Sequence, residues 1–144
     1  MKLVYVAGAY RSPTVWLVEK NIIEAQAVAA QVLAIPGLHP VCPHMNTRHM
    51  EGIAPDEQVL EGTLEMMRRC DAVIVIGAWE RSAGTRGEVK EAVRLGLPVL
   101  YAWGDESWSA RWLMMIANAP AGYRVADGQQ DPFAGVYWPN LRER

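Results

Sequence analysis

Several things are scarce in this chain, and each scarcity excludes something. No apolar run approaches the ~20 residues that a membrane-spanning helix needs, so no membrane partner is expected. Cysteine occurs only twice, at Cys42 and Cys70, too few for a disulfide framework and in keeping with a reducing, cytoplasmic setting. Neither charge sign dominates. A formal net charge of −2 gives no electrostatic case for binding a nucleic acid polymer or a lipid surface. The opening "MKLVYVAGAY" is apolar too briefly for a signal peptide and reads instead as a first strand. Phenylalanine occurs once, yet there are 6 tryptophans, four of them from Trp103 onward. That bias points to an aromatic layer or a subunit contact, with Trp108 and Trp112 at or near it and a homodimer or larger assembly as the expectation.

At 144 residues the chain is most economically one domain, 1–144, with no repeat, linker or low-complexity tract to divide it. Leu3 to Ala7 reads as a strand buried on both faces. Val15 to Ile35 is helical, with Val18, Ile22, Ala25, Ala29, Val32 and Leu33 on one side and Pro36-Gly37 as its stop. Leu38 to Cys42 is a weak strand interrupted by Pro40, which favours a sheet edge. A helix from Asp56, its expected cap, runs to about Cys70, with Val59, Leu60, Leu64 and Met67 inward. "AVIVI", from Ala72 to Ile76, is the clearest buried strand. A helix over Glu88 to Leu95 follows, with Val89, Ala92 and Val93 facing the sheet, then a strand in "GLPVLYA" and a helix marked by Trp108, Trp112 and Met115. Residues 119–144 carry no assignable pattern.

Strand and helix alternate, which implies an α/β sandwich: a flavodoxin-like parallel sheet of four or five strands, order 2-1-3-4-5, with helices on both faces. Ligands of such folds bind beyond the carboxyl ends of the strands. Three segments fall on that rim: "GAYRSP", "PHMNTRH" and "GAWERSAGTRGE". In the third, Ser82, Gly84 and Glu88 form S-x-G-x-x-x-E at a strand-to-helix turn, where free N–H groups can hold an anion. Gly84 permits close backbone approach, and the helix dipole should favour an ionised, nucleophilic Glu88. Thr85-x-x-Glu88 is equally a capping box, and spacing alone leaves both readings open. In the first segment Gly8 allows close approach, Tyr10 offers an aromatic face, and Arg11 can take a phosphate through two parallel hydrogen bonds or stand as a solvated charge. In the second, His44, Asn46 and Arg48 are candidate substrate contacts. Cys42, His44 and His49 match no zinc spacing, so no metal is expected. A P-loop, a G-x-G-x-x-G fingerprint and a nucleophile-elbow serine are all missing from the sequence.

Together "YVAGAYRS", "CDAVIVIG" and "SAGTRGEVKEAVRLGLPV" resemble the nucleoside 2-deoxyribosyltransferase-like superfamily over residues 2–101, most strongly over 79–98. The nearest likeness is to its bacterial and phage branch, with a similar tryptophan-serine-glycine-glutamate stretch. The resemblance implies cleavage of the N-glycosidic bond of a small-molecule nucleoside or nucleotide, by hydrolysis or by transfer to a second base. It implies that Glu88 is the carboxylate that meets the oxocarbenium-like transition state, and that no cofactor takes part. It further implies, by likeness to the 2'-deoxynucleoside 5'-phosphate N-hydrolases, that Ser82 and Arg11 contact a 5'-phosphate. One position departs from the pattern. The hydrolase and transferase branches carry an Asp eight residues before the Asp that opens the third strand; counted back from Asp71, that position is Thr63. The alternative is a nucleotide-binding or sensing module that has the pocket without the chemistry.

Overall fold

The computed structural model describes residues 1–102 and 106–125, the first four of the second span by backbone alone. Four parallel strands, β1 (Lys2–Ala7), β2 (Leu38–Val41), β3 (Ala72–Ile76) and β4 (Val99–Ala102), lie in the order β2-β1-β3-β4. Register pairs Tyr5 with Val41 on one side and Val73 on the other, so all four carboxyl ends open onto one rim. The two central strands are apolar on both faces because helices cover both. Val4, Val6, Ile74 and Ile76 pack one way, against α1 (Val15–Leu33) and α5 (Glu106–Asn118). Tyr5, Ala7, Val73 and Val75 pack the other way, where Met67 of α3 (Asp56–Arg68) and Val89 and Ala92 of α4 (Ala83–Arg94) meet them. A short helix, α2 (Pro43–Asn46), and a three-residue 3-10 turn, Trp79–Arg81, complete the rim.

β2 takes the edge, where the missing N–H of Pro40 is tolerated. Asp71 locks the centre of the sheet: its carboxylate accepts the Leu3 N–H at 2.8 Å while its own N–H reaches the Leu3 carbonyl. Lys2 sits under the carboxyl end of α5, donating to the Ile116 carbonyl at 2.7 Å, which suits a cation at that end of a helix dipole.

Several sequence expectations are displaced. Leu33 and Val93 are exposed rather than inward, each lying just off its helix's buried stripe. Leu60 is 48% exposed because the sheet ends beneath it and it faces the rim cavity instead of the core. Asp56 is the first residue of α3 rather than its cap, with Pro55 at the cap position and no side-chain cap bond. Trp112 is 3% exposed and belongs to the core between α5 and the sheet, so it offers no surface to a partner subunit. The Trp108 side chain lies outside the described residues.

Candidate functional site

The cavity on the rim encloses about 810 Å³ and draws its walls from the turn after β1, the α2 region, one face of α3 and the start of α4. Its size suits a ligand of nucleotide scale.

The start of α4 differs from its sequence reading. The helix begins at Ala83, and Ser82 is its cap: the Ser82 Oγ accepts the Thr85 N–H at 3.2 Å and the Thr85 hydroxyl at 2.9 Å. Both bonds are accepted, so the Ser82 hydroxyl proton is left to donate into the cavity. Thr85 is therefore inside the helix, and Glu88 lies in the second turn, where it caps nothing. The capping-box reading of Thr85 and Glu88 fails because the cap is one turn earlier.

Glu88 belongs to the buried stripe of α4, with Thr85, Val89 and Ala92 at spacings of three, one and three. It is 8% exposed and lines the cavity. The Tyr5 hydroxyl, itself fully buried, donates to Glu88 Oε1 at 2.5 Å. Burial pushes the Glu88 carboxyl up to about 7, against the lowering pull of the hydrogen bonds from Tyr5 and Thr63. The expected ionising influence of the helix start is outweighed, since Glu88 is beyond the first turn where that influence is felt. Burial and the same contact raise the Tyr5 phenol above its ordinary range. Tyr5 was missed in the sequence, although a tyrosine inside an all-apolar strand needs a partner for its hydroxyl and so flags a buried polar group nearby.

Thr63 projects from α3 into the same cavity, its hydroxyl donating to the Leu60 carbonyl at 2.8 Å. Neither neighbouring acid replaces it. Glu61 and Glu65 turn away to bind Arg68 and Arg69.

The turn after β1 is held by Asn21, whose amide donates to the Tyr10 carbonyl and the Ser12 hydroxyl, both at 3.1 Å. Gly8 lines the cavity, but close packing of protein on protein is what requires it: a Cβ there would stand 2.6 Å from Ile76 Cγ1. Gly77, at φ +64, turns the chain out of β3 in a conformation that favours glycine. Gly84 is less constrained, since an added Cβ would make ordinary contact with Leu60 Cδ2 at 3.4 Å and Ser82 Oγ at 4.0 Å. Tyr10 hydrogen-bonds Glu51 through its hydroxyl and lies against the His44 ring, centroids 5.8 Å apart. Arg11 is ion-paired with Asp56 at the exposed mouth, so it is not the free phosphate ligand that the sequence suggested. Arg81, beside Ser82 on the cavity wall, is the guanidinium that sequence reasoning overlooked.

His44 is 3% exposed; its Nε2–H donates to the Ala9 carbonyl at 3.1 Å, and its Nδ1 is buried without a partner. Burial lowers its pKa and keeps the ring neutral. Asn46 does not reach the cavity; it is exposed on the far side of α2, 3.9 Å from the Met66 sulfur. Arg48 and His49 also turn elsewhere, onto Glu19. Among the described residues no three His, Cys, Asp or Glu side chains cluster as metal ligands, and no helix is long and apolar enough to cross a membrane.

The parallel α/β sandwich is similar in fold to a solved 2-deoxyribosyltransferase. The 2-deoxyribosyltransferase of Bacillus psychrosaccharolyticus superposes with a TM-score of 0.51 at 18% identity, over 83% of this chain and 93% of that one. The 2-desoxiribosyltransferase of Leishmania mexicana gives a TM-score of 0.49 at 25% identity, over 69% of this chain; the match spans 63% of the Leishmania chain. No curated protein sequence matches at a significant level. Residues 2–102 match the family described as Domain of unknown function (DUF7768), and the chain belongs to that family.

Proposed function

We propose that the protein cleaves the N-glycosidic bond of a nucleoside or nucleotide, with Glu88 as the reacting carboxylate. The observation that carries this reading is a buried glutamate on the wall of a nucleotide-sized cavity, held by a tyrosine hydroxyl and raised to about 7. A carboxyl in an ion-pair network would be a poor nucleophile; among the described residues Glu88 has no ion-pair partner. In its ionised form it attacks the anomeric carbon, or offsets the positive charge that develops there, as the base departs. Tyr5 is a positioning residue. By fixing Oε1 it leaves Oε2 for the sugar and partly offsets the cost of ionising in a buried place.

The start of α4 is the proposed phosphate end. The Ser82 hydroxyl, the Ala83 and Gly84 N–H groups and Arg81 converge there, and a helix N-terminus favours an anion. Arg11 joins them only by exchanging Asp56 for phosphate. Gly8, Tyr10 and His44 line the opposite wall and would contact base and sugar. Family likeness in fold supports the reading without fixing substrate or acceptor.

Incubation with a panel of nucleosides and nucleoside 5'-monophosphates, watched for free base, tests it. Release by the wild type and its loss in Glu88→Gln are expected. Tight binding of a nucleotide with no release would instead favour the binding module, a reading that Thr63 at the expected acid position supports.

A further inference from the structure

Departure of a neutral base leaves an anion unless a proton reaches the ring, so an enzyme for ordinary nucleosides needs an acid near the base. With Glu88 taken as the carboxylate that meets the sugar, none of the other described groups lining the cavity is suited to that role. Thr63, on the cavity wall with Glu88, is an alcohol and too weak an acid to protonate a departing base. Asp56 is ionised against Arg11, which holds its carboxyl below the usual range. The Tyr10 hydrogen bond likewise holds Glu51 ionised. Glu24 is exposed on α1 with Lys20 3.9 Å away. His44 is buried and neutral, and its one ring proton is bonded to Ala9.

The same lining is electronegative, with the four carboxyl groups of Glu24, Glu51, Asp56 and Glu88 against two guanidiniums. Part of it is arranged for a flat cation. The Tyr10 hydroxyl bonds the Glu51 carboxylate on the cavity wall, so an aromatic ring and a carboxylate are neighbours there, and a cationic ring is attracted by both.

We propose that the substrate is an N-glycoside whose base is already cationic, such as a quaternary pyridinium or an N7-alkylated purine nucleoside or nucleotide. This inference rests on the glycosidic reading of Glu88. The Glu88 carboxylate bonds to C1' as the C1'–N bond breaks. The electron pair of that bond goes to the ring nitrogen, which leaves neutral and needs no proton. Water then attacks C1', Glu88 departs as carboxylate, and one proton is released to solvent.

The test pairs 7-methylguanosine 5'-monophosphate with guanosine 5'-monophosphate, and an N-ribosylpyridinium nucleotide with a neutral pyrimidine nucleotide, each corrected for uncatalysed hydrolysis. The full chain is expected to release the cationic bases with kcat/KM at least about 100-fold higher, the scale of a missing general acid. Thr63→Asp places a carboxyl where a proton could be delivered and is expected to narrow that ratio by about 10-fold or more. Equal release from neutral and cationic substrates by the wild type would overturn the cationic-base inference while leaving the Glu88 reading intact. Release from neither substrate by the wild type would overturn both, whether or not the variant folds.

Discussion

Two glutamates on α4, one turn apart, have opposite chemistry. Glu88 faces the cavity beside Tyr5, with no cation among the described residues paired to it, and its carboxyl is pushed up to about 7 by burial. Glu91 lies between Arg94 and Arg68, whose hydrogen bonds pull it down to about 2. Helix and residue type are shared, so surroundings alone separate a group that can change protonation near neutrality from one that is fixed as an anion. Candidate catalytic carboxyls are found by such contrasts. A structural acid is surrounded by charge of the opposite sign, and a reactive one is buried and left incompletely compensated.

Glu88→Gln gives the sharpest contrast. Base release should fall about 1000-fold or more, the scale of losing a group that acts in the transition state. Stability should move the other way. The folded-state value of Glu88 lies above the ordinary carboxyl value of 4.5, so the folded chain holds the proton more tightly than the unfolded one. That contribution is complete below about pH 4.5 and is lost as pH rises through about 7. Glutamine stays neutral, and above neutrality the variant should be the more stable by an amount of order 3 kcal/mol, read from denaturant unfolding at pH 8. A less stable variant at pH 8 would place Glu88 in a structural role.

Tyr5→Phe comes next. It removes the bond that favours the ionised carboxyl, so the pH at which release begins should move up and kcat at pH 7 should fall about 10-fold, the scale of one hydrogen bond to a charged group. A lower kcat with an unmoved pH profile would mean a packing role only. Ser82→Ala should cost about 1 kcal/mol of stability for the lost cap and weaken nucleotide binding by roughly 1–3 kcal/mol, while nucleoside binding is unchanged. Equal losses for both ligands would remove the phosphate role. Glu91→Gln is the smallest. Release should be unaffected, and a slight drop in thermal midpoint at pH 7 should vanish near pH 2, because the stabilisation belongs to the ionised form and is lost as pH falls through its depressed value.

Much of the fold was legible because periodicity reports burial. "AVIVI" is β3 to the residue, and the Pro40 interruption marked β2 as an edge. The start of α4 was misjudged by five residues, since two overlapping hydroxyl-to-acid spacings compete there and only the backbone decides that Ser82, not Thr85, is the cap. The site was half legible. Glu88, Gly8, Tyr10, Ser82 and His44 do share one cavity, because they follow strand ends that parallel topology brings together. Pairings across the rim were not legible: Arg11 with Asp56, Tyr10 with Glu51 and Tyr5 with Glu88 join residues 45, 41 and 83 apart in sequence. Asn46 failed because one turn of helix carries it round to the outer surface. Trp112 failed as an interface residue because its burial is within its own chain.

The most direct test of the central claim is the pH dependence of kcat/KM for base release, which reports the ionisation of groups in the free enzyme. With Glu88 acting as a carboxylate that meets the sugar, the rate should climb as pH rises through about 7 and then level off. A profile that is flat across that range, or one that falls with rising pH as for a proton donor, would contradict it.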